Sequence, residues 1–258
     1  LPQNQKPTVQ LTSPATGTVV AEGGNALLQA TAADSDDGVA SVTFHENNRS
    51  IGKVTTAPWQ IAFQDIPEGP HTFHAVAQDT RGATTASASR TLYGSRVIGD
   101  IGPLNGSIWG WACATYWSQP IKVRLYFGGP MGTGVSAGEF VANGATGPER
   151  AAECKGSGTA YMFVIPITDA MIKAHGGKTI HVHGMSPVGG GNNALSHSGS
   201  YSLPANKPPV ITLTSPVTGA KANSPGSFVL QATASDPDDS VAKVVFYRNN
   251  TAIATITQ

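Results

Sequence analysis

The sequence predicts an all-β protein in which β-sandwich domains follow one another along the chain. The 258 residues include 30 Gly and 18 Pro, a composition that favours many turns over long helices. Short segments alternate apolar and polar residues, and this period of two is typical of strands with one buried face. Residues 11–56 recur as residues 213–258, with 23 of the 46 positions identical. Because this period far exceeds one solenoid turn, each repeat must contain whole domains.

The charge balance excludes two classes of partner. Lys plus Arg and Asp plus Glu number 16 each, and charged residues make up 12% of the chain. No net field therefore attracts nucleic acid or anionic lipid. No apolar run reaches the roughly 20 residues that span a bilayer, and no secretory signal pattern opens the chain. We expect no membrane insertion within this segment, and an export signal or anchor elsewhere in the protein.

Residues 1–94 show a pattern that predicts a sandwich of seven strands. Turn sequences such as SPATG, DSDDG and PEGP separate the alternating segments at intervals of about ten residues. This spacing is compatible with a Greek key. The positions predicted to face the core are Leu28, Ala30, Ala32, Val42, Phe44, Ile61, Phe63, Phe73, Ala75 and Ala77.

A family resemblance is visible over residues 6–93. It is carried by VQLTSPATGTVV, ALLQATAADSDDGVASVTFHENNRSIG and TTAPWQIAFQDIPEGPHTFHAVAQDTRGATT, which resemble the bacterial immunoglobulin-like repeats of secreted and surface proteins. The resemblance implies an immunoglobulin-like domain at residues 1–94, including an N-terminal linker, and an extracellular or cell-surface location. Residues 204–258 resemble the N-terminal part of a second such domain. Half a sandwich cannot bury its own core, so we expect the chain to continue or another polypeptide to supply the missing strands.

Residues 95–203 differ from both copies, and they predict a distinct β-sandwich with a short helix. Only residues 169–174 have helical character, with Thr168 as the N-cap and Gly176 as the stop. An apolar segment that begins at Ile108 and Trp109 predicts its first strand. The alternating positions that predict the others are Val123, Leu125, Phe127, Tyr161, Phe163, Ile165, Ile180, Val182 and Gly184.

Both cysteines, Cys113 and Cys154, lie in this middle region, outside any CxxC motif or zinc-type cluster. We predict that they form a disulfide, which would stabilise the domain by about 4 kcal/mol in an oxidising compartment. Two unrelated buried thiols are the alternative.

The middle region also carries a second resemblance. GWAC at residues 110–113, the turn GGPMGTG, residues 152–154 and the sequence HGMSPVGGGNN are similar to a module of large exported bacterial proteins. These proteins include some RHS/YD-repeat proteins and some secreted hydrolases. The resemblance implies export and modularity, and it carries no biochemical role.

The sequence contains no recognisable catalytic constellation, and we predict that the chain is not an enzyme. Neither SIWG nor GMSPVGG meets the GxSxG pattern of a nucleophile elbow. The glycines at residues 189–191 lack the lysine and the following helix of a phosphate-binding loop. His181 and His183 share one face of a predicted strand, but no third metal ligand accompanies them.

Two acidic turns are the candidate metal sites. Their closely spaced carboxylates supply the hard oxygens that calcium prefers, although the twelfth-position glutamate of an EF-hand is missing. A turn held by aspartate side chains is the alternative, and no other cofactor is predicted. The candidate ligands are Asp34, Asp36 and Asp37 in the first copy and Asp236, Asp238 and Asp239 in the second.

Four aromatic residues crowd into nine positions of the middle region. Trp109 and Trp111 share one strand face, which predicts that they pack in the core against the disulfide. Tyr116 and Trp117 lie in a turn, where side chains contact ligands more readily, and we predict them as candidate glycan-binding residues.

These observations favour a non-enzymatic spacer or adhesive segment of an exported bacterial surface or secreted protein. The expected partners are neighbouring repeats and a glycan or cell-surface ligand. Two alternatives remain: a carbohydrate-binding middle domain, and accessory domains of a larger secreted toxin or hydrolase.

Overall fold

The fold is known from a computed structural model, which describes residues 3–257. Leu1 and Pro2 of the predicted linker and Gln258 of the second copy lie outside the described residues. The chain forms two compact units, of which the first contains the residues up to Pro166 together with Thr179–Tyr201. The second contains Ile167–Lys178 and the residues from Ser202 onward. Nearly all regular structure is β, which confirms the predicted fold class.

The first sandwich packs a three-stranded sheet, ordered β1-β3-β6, against a larger sheet ordered β2-β9-β7-β4-β5, with β8 paired to β7. All its strand pairs are antiparallel except β2 with β9. Its strands are β1 (Thr8–Ser13), β2 (Val19–Ala21), β3 (Gly24–Ala33), β4 (Val39–Glu46), β5 (Arg49–Val54), β6 (Gln60–Ile66), β7 (Gly69–Asp79), β8 (Thr84–Ala86) and β9 (Arg90–Ser95).

The strand count of the first sandwich is nine, so the prediction of seven was wrong by two short elements. Strand β2 forms because Val19 lies in parallel register with Tyr93 of β9. The segment predicted as the last strand divides into β8 and β9. The division lies at Ser87. Its amide donates to the Ala75 carbonyl, and its hydroxyl accepts the Ala75 amide in place of a backbone carbonyl of the neighbouring strand.

The core of the first sandwich lies where the alternation predicts it. Leu28, Val42, Phe44 and Phe73 are fully buried, and Leu11 joins them from β1. Ile61 and Phe63 are partly buried and pack at the edge of this cluster. Burial of each large apolar side chain contributes about 1.5–3 kcal/mol of transfer free energy, so these contacts hold the two sheets together.

The middle sandwich, in the same unit, pairs a sheet ordered β10-β11-β15-β14 with a sheet ordered β13-β12-β16-β17. Ile108, Leu125, Phe163 and Val182 are buried between these sheets. Its elements are β10 (Val97–Ile101), β11 (Ser107–Ala114), β12 (Lys122–Phe127), β13 (Val135–Val141), β14 (Gly144–Ala145), α1 (Pro148–Cys154), β15 (Ala160–Pro166), β16 (Thr179–Gly184) and β17 (Asn193–Ala194).

The expectation of a single helical segment was incomplete. The predicted helix is present as α2 (Asp169–His175), and the Thr168 hydroxyl accepts a hydrogen bond from the amide of Met171. Helix α1 was missed because it begins after Gly147, which offers no capping side chain, whereas α2 begins after the N-cap residue Thr168. The signal that was available is Pro148, since proline is favoured in the first turn of a helix.

The second unit contains α2, β18 (Tyr201–Ser202) in part, and four strands of the second copy. Strand β19 (Val210–Ser215) pairs with β20 (Gln231–Ser235), and β21 (Lys243–Arg248) pairs with β22 (Thr251–Thr257). The repeated sequence keeps its register, because Leu213 lies opposite Ala232 as Leu11 lies opposite Ala30. Leu213 is 56% exposed, whereas Leu11 is 1% exposed inside the first sandwich.

Candidate functional site

A disulfide between Cys113 on β11 and Cys154 at the end of α1 is the covalent anchor of the middle sandwich. The two Cα atoms are 6.0 Å apart, and both residues are fully buried. Trp111 and Tyr161 complete the cluster around the sulfurs. The disulfide therefore holds α1 on the sheet that contains β11.

Trp109 and Trp111 point to the side of β11 opposite the buried Ile108, Gly110 and Ala112. The prediction that both tryptophans lie in the core was therefore wrong for Trp109, which is only partly buried. Trp111 is buried and packs against the disulfide as predicted, because α1 covers it and the Arg150 guanidinium lies 4.8 Å from its ring centroid. A period of two places both side chains on one face, but α1 decides which of them is covered.

Tyr116 and Trp117 follow β11 in a turn, and both are partly buried. Tyr116 has a left-handed backbone, with φ of 61°. Its ring stacks on Tyr93 of the first sandwich at a centroid distance of 4.9 Å, and Lys155 Nζ lies 5.4 Å from its centroid. The structure thus places Tyr116 between the two sandwiches of the first unit, a role that the sequence analysis missed.

These contacts belong to a joint between the first and middle sandwiches. Strand β9 ends at Ser95 and β10 begins at Val97, so Arg96 alone connects them. The Arg96 amide donates to the Thr115 hydroxyl at 3.1 Å, and the Thr115 amide donates to the Arg96 carbonyl at 2.9 Å. We define the joint as Glu68, Tyr93, Arg96, Thr115, Tyr116 and Lys155.

An ion pair crosses the joint at a second position. Lys155 Nζ lies 2.7 Å from Glu68 Oε1, and this hydrogen bond raises the pKa of Lys155. Lys155 follows α1 directly in a left-handed conformation, and the Tyr116 amide donates to the Cys154 carbonyl at 2.9 Å. The disulfide at Cys154 therefore fixes the position of Lys155, which forms the ion pair with Glu68. It also fixes the Cys154 carbonyl, which accepts the hydrogen bond from Tyr116.

The acidic turn of the first copy is held by an aspartate side chain, and it also brings three carboxylates close together. Asp34 Oδ1 accepts the backbone amides of Asp36 and Asp37 at 3.1 and 3.0 Å, which lowers the pKa of Asp34 to about 2. One oxygen from each of the three carboxylates lies within 4.8 Å of the others. Arg81 pairs with Asp37 at 3.0 Å and with Asp36 at 3.4 Å, so one guanidinium offsets part of the negative charge of the three carboxylates.

The acidic turn of the second copy repeats the backbone part of this arrangement. Asp236 Oδ1 accepts the amides of Asp238 and Asp239 at 3.2 and 3.1 Å. Asp238 also accepts the amide of Lys207 at 3.0 Å, as Asp36 accepts that of Gln5 at 3.3 Å. The repeat therefore preserves a contact between the acidic turn and the chain that enters each copy.

The two histidines of β16 take part in local hydrogen bonds. His183 is buried, and its Nε2 accepts the amide of Met131 at 3.2 Å. His181 Nε2 lies 3.0 Å from the Thr179 hydroxyl. Burial lowers the pKa of both imidazoles, which keeps them neutral at physiological pH.

Between residues 3 and 257, the structure contains no helix long and apolar enough to cross a bilayer.

Solved structures with similarity to the chain come from several β-sandwich proteins. The fibronectin(III)-like modules of Clostridium thermocellum CbhA are 26% identical, with 33% of this chain and 93% of that chain covered and a TM-score of 0.32. A 1.5-MDa bacterial ice-binding adhesin, studied for its host cell surface retention, is 12% identical, with 83% of this chain and 71% of that chain covered and a TM-score of 0.40. Carbohydrate-binding modules of the β-sandwich superfamily are 14% identical, with 51% and 68% covered and a TM-score of 0.30.

Sequence comparison gives a more specific result for part of the chain. No curated protein matches it. The resemblance of the two repeated segments to bacterial immunoglobulin-like domains is confirmed, because the family model described as a bacterial Ig domain matches residues 7–75 and 209–258.

Proposed function

We propose that the chain is a non-enzymatic spacer segment of an exported bacterial surface or secreted protein, in which sandwiches are joined so that they resist bending. The observation that carries this proposal is the joint, where Arg96 alone connects two strands of adjacent sandwiches. The match to the bacterial Ig domain supports the bacterial origin. The disulfide supports export, because such bonds persist in oxidising compartments.

The joint resists bending through geometry more than through the energy of any one contact. The Lys155 and Glu68 side chains are 44% and 17% exposed, and an ion pair of this kind contributes at most about 1 kcal/mol. The stack of Tyr93 on Tyr116 adds about 0.5–1.5 kcal/mol. Because these contacts lie beside the Arg96 connection, a hinge motion about that residue must break at least one of them.

The second copy is preceded by a different kind of connection. The segment LPANKPP precedes the second copy, and proline-rich segments favour extended polyproline conformations with limited bending. The partners that this proposal requires are neighbouring repeats of the same protein, and an adhesive role adds a cell-surface ligand. The first and middle sandwiches each have their own core, so we expect length to grow as complete units are added.

Removing the side chains of the joint is expected to loosen it without unfolding either sandwich. For the full chain with both Tyr116→Ala and Lys155→Ala, the conformers that fit the small-angle X-ray scattering data should span a broader range of radii of gyration than those of the wild-type chain. The control Lys122→Ala removes an ion pair with Glu139 on β12 and β13, outside the joint, and should leave the scattering unchanged. Identical scattering from the double variant and the wild-type chain would count against a spacer whose stiffness depends on this joint.

A further inference from the structure

Trp109 lies on the outer face of the sheet β10-β11-β15-β14, on the same side as Trp111. Helix α1 packs against this face at Trp111, Cys113 and Met162, and Trp109 is not part of that cluster. Its cross-strand neighbour on β15 is Val164, which is 62% exposed. On the β10 side, the amide of Gly102 donates to the Trp109 carbonyl at 3.0 Å. Trp109 is partly buried and its neighbour Val164 is exposed, so the indole is a large aromatic group at the protein surface.

The orientation of this indole follows from its contact with Gly102. A Cβ atom placed on Gly102 would lie 2.2, 2.5 and 2.6 Å from ring atoms Cζ2, Cε2 and Cη2. Three nearly equal distances to consecutive ring atoms indicate an approach to the face of the ring, since an approach to its edge would separate them more. One face of the indole thus rests on Gly102, a position where any side chain would clash, and the opposite face is directed away from it.

A hydrogen bond holds the ring in this position. Trp109 Nε1 donates to the carbonyl of Pro103 at 2.7 Å. The polar atom of the indole is thereby satisfied, and the ring is kept in one orientation without a ligand. A rigid aromatic surface of this kind loses little conformational entropy on binding, which favours recognition by stacking.

Two polar side chains accompany Trp109 on this face of the sheet. Asp100 on β10 lies opposite Trp111 of β11, so its side chain is on the sheet face that also carries Trp111 and Trp109. Asp100 Oδ1 lies 2.7 Å from His197 Nδ1, and the two side chains are 39% and 59% exposed. This exposed carboxylate–imidazole pair is thus accessible to solvent on the sheet face that carries Trp109.

We propose that the open face of Trp109 binds a pyranose ring of a carbohydrate, with Asp100 and His197 hydrogen-bonding to its hydroxyl groups. A pyranose presents an apolar C–H face bordered by hydroxyls, and this matches a flat indole that shares its sheet face with a carboxylate and an imidazole. A nucleobase would also stack, but a chain with no net charge offers little attraction to phosphates. The site goes beyond the spacer role, and it differs from the Tyr116 and Trp117 turn.

Calorimetric titration of the full chain tests this site. The probes are cellohexaose, xylohexaose, mannohexaose, chitohexaose and lactose, each at millimolar concentration. We expect at least one probe to bind, Trp109→Ala to weaken that binding at least tenfold, and Trp109→Phe to retain part of it. Trp117→Ala is the matched control and should bind as the wild-type chain does.

A further variant separates a lost site from a lost fold. Gly102→Ala keeps the indole, but the added Cβ displaces the ring from its position against residue 102. This variant should therefore also weaken binding, while its circular dichroism spectrum stays unchanged. The proposal is overturned if no probe binds the wild-type chain, or if Trp109→Ala and Gly102→Ala bind as tightly as wild type. It is likewise overturned if Trp117→Ala is the variant that abolishes binding.

Discussion

Replacing Cys113 and Cys154 together by alanine is expected to lower the free energy of unfolding of the middle sandwich by about 4 kcal/mol. The disulfide joins residues 41 positions apart, and its loss returns conformational freedom to the unfolded chain. The folded state also loses the covalent attachment of α1, which covers Trp111. The effect should appear in urea unfolding followed by tryptophan fluorescence, because three of the four tryptophans lie in this region.

A reducing agent provides the control for this experiment. Wild-type chain with dithiothreitol should unfold at nearly the same urea concentration as the double alanine variant, whereas dithiothreitol should not affect the variant. A stability loss below about 1 kcal/mol would contradict the role given to the disulfide, because loop closure over this separation predicts a larger effect.

Replacing Phe73 by alanine is expected to destabilise the first sandwich by about 3–5 kcal/mol. Phe73 is fully buried on β7, a strand paired on one side with β4 and on the other with β9. Its ring meets Phe63 edge to face at a centroid distance of 5.1 Å. The variant therefore loses the transfer free energy of the ring and leaves a cavity between the two sheets.

Hydrogen exchange measured by mass spectrometry locates this effect. Protection should fall in the peptides of β3, β4 and β7 and should persist in β11, β12 and β16, because each sandwich has its own core. Phe73→Leu should cause a smaller loss, and Val164→Ala, at an exposed position, should change stability by no more than about 0.5 kcal/mol. Equal loss of protection in both sandwiches would show that they unfold as one unit and would contradict separate cores.

The sequence predicts the first sandwich well because its strands have one buried face. Alternation places Leu28, Val42 and Phe44 toward the core, and a shift of one residue would expose all of them. The repeat adds independent support, since β19 and β20 keep the register of β1 and β3. Short elements such as β2 are less predictable, because their pairing depends on partners distant in sequence.

The candidate sites were harder to predict because they depend on contacts between distant segments. Alternation shows that Trp109 and Trp111 share a face, but α1 decides that Trp111 is covered and Trp109 is not. Tyr116 lies in a turn, where exposure is the usual expectation, yet Tyr93 of the neighbouring sandwich stacks on it. No local pattern reports such a contact. From the sequence alone, Gly102, on which the Trp109 ring packs, would also be interpreted as an ordinary turn residue.

Residual dipolar couplings of backbone amides in the full chain test the central claim most directly. The couplings report the orientation of each sandwich relative to a weakly aligned medium. If the joint holds, one alignment tensor fits the amides of residues 8–95 and of residues 97–166 and 179–201 together. If the couplings require two tensors of different magnitude, the two sandwiches move independently about Arg96, and the proposal of a stiff spacer is contradicted.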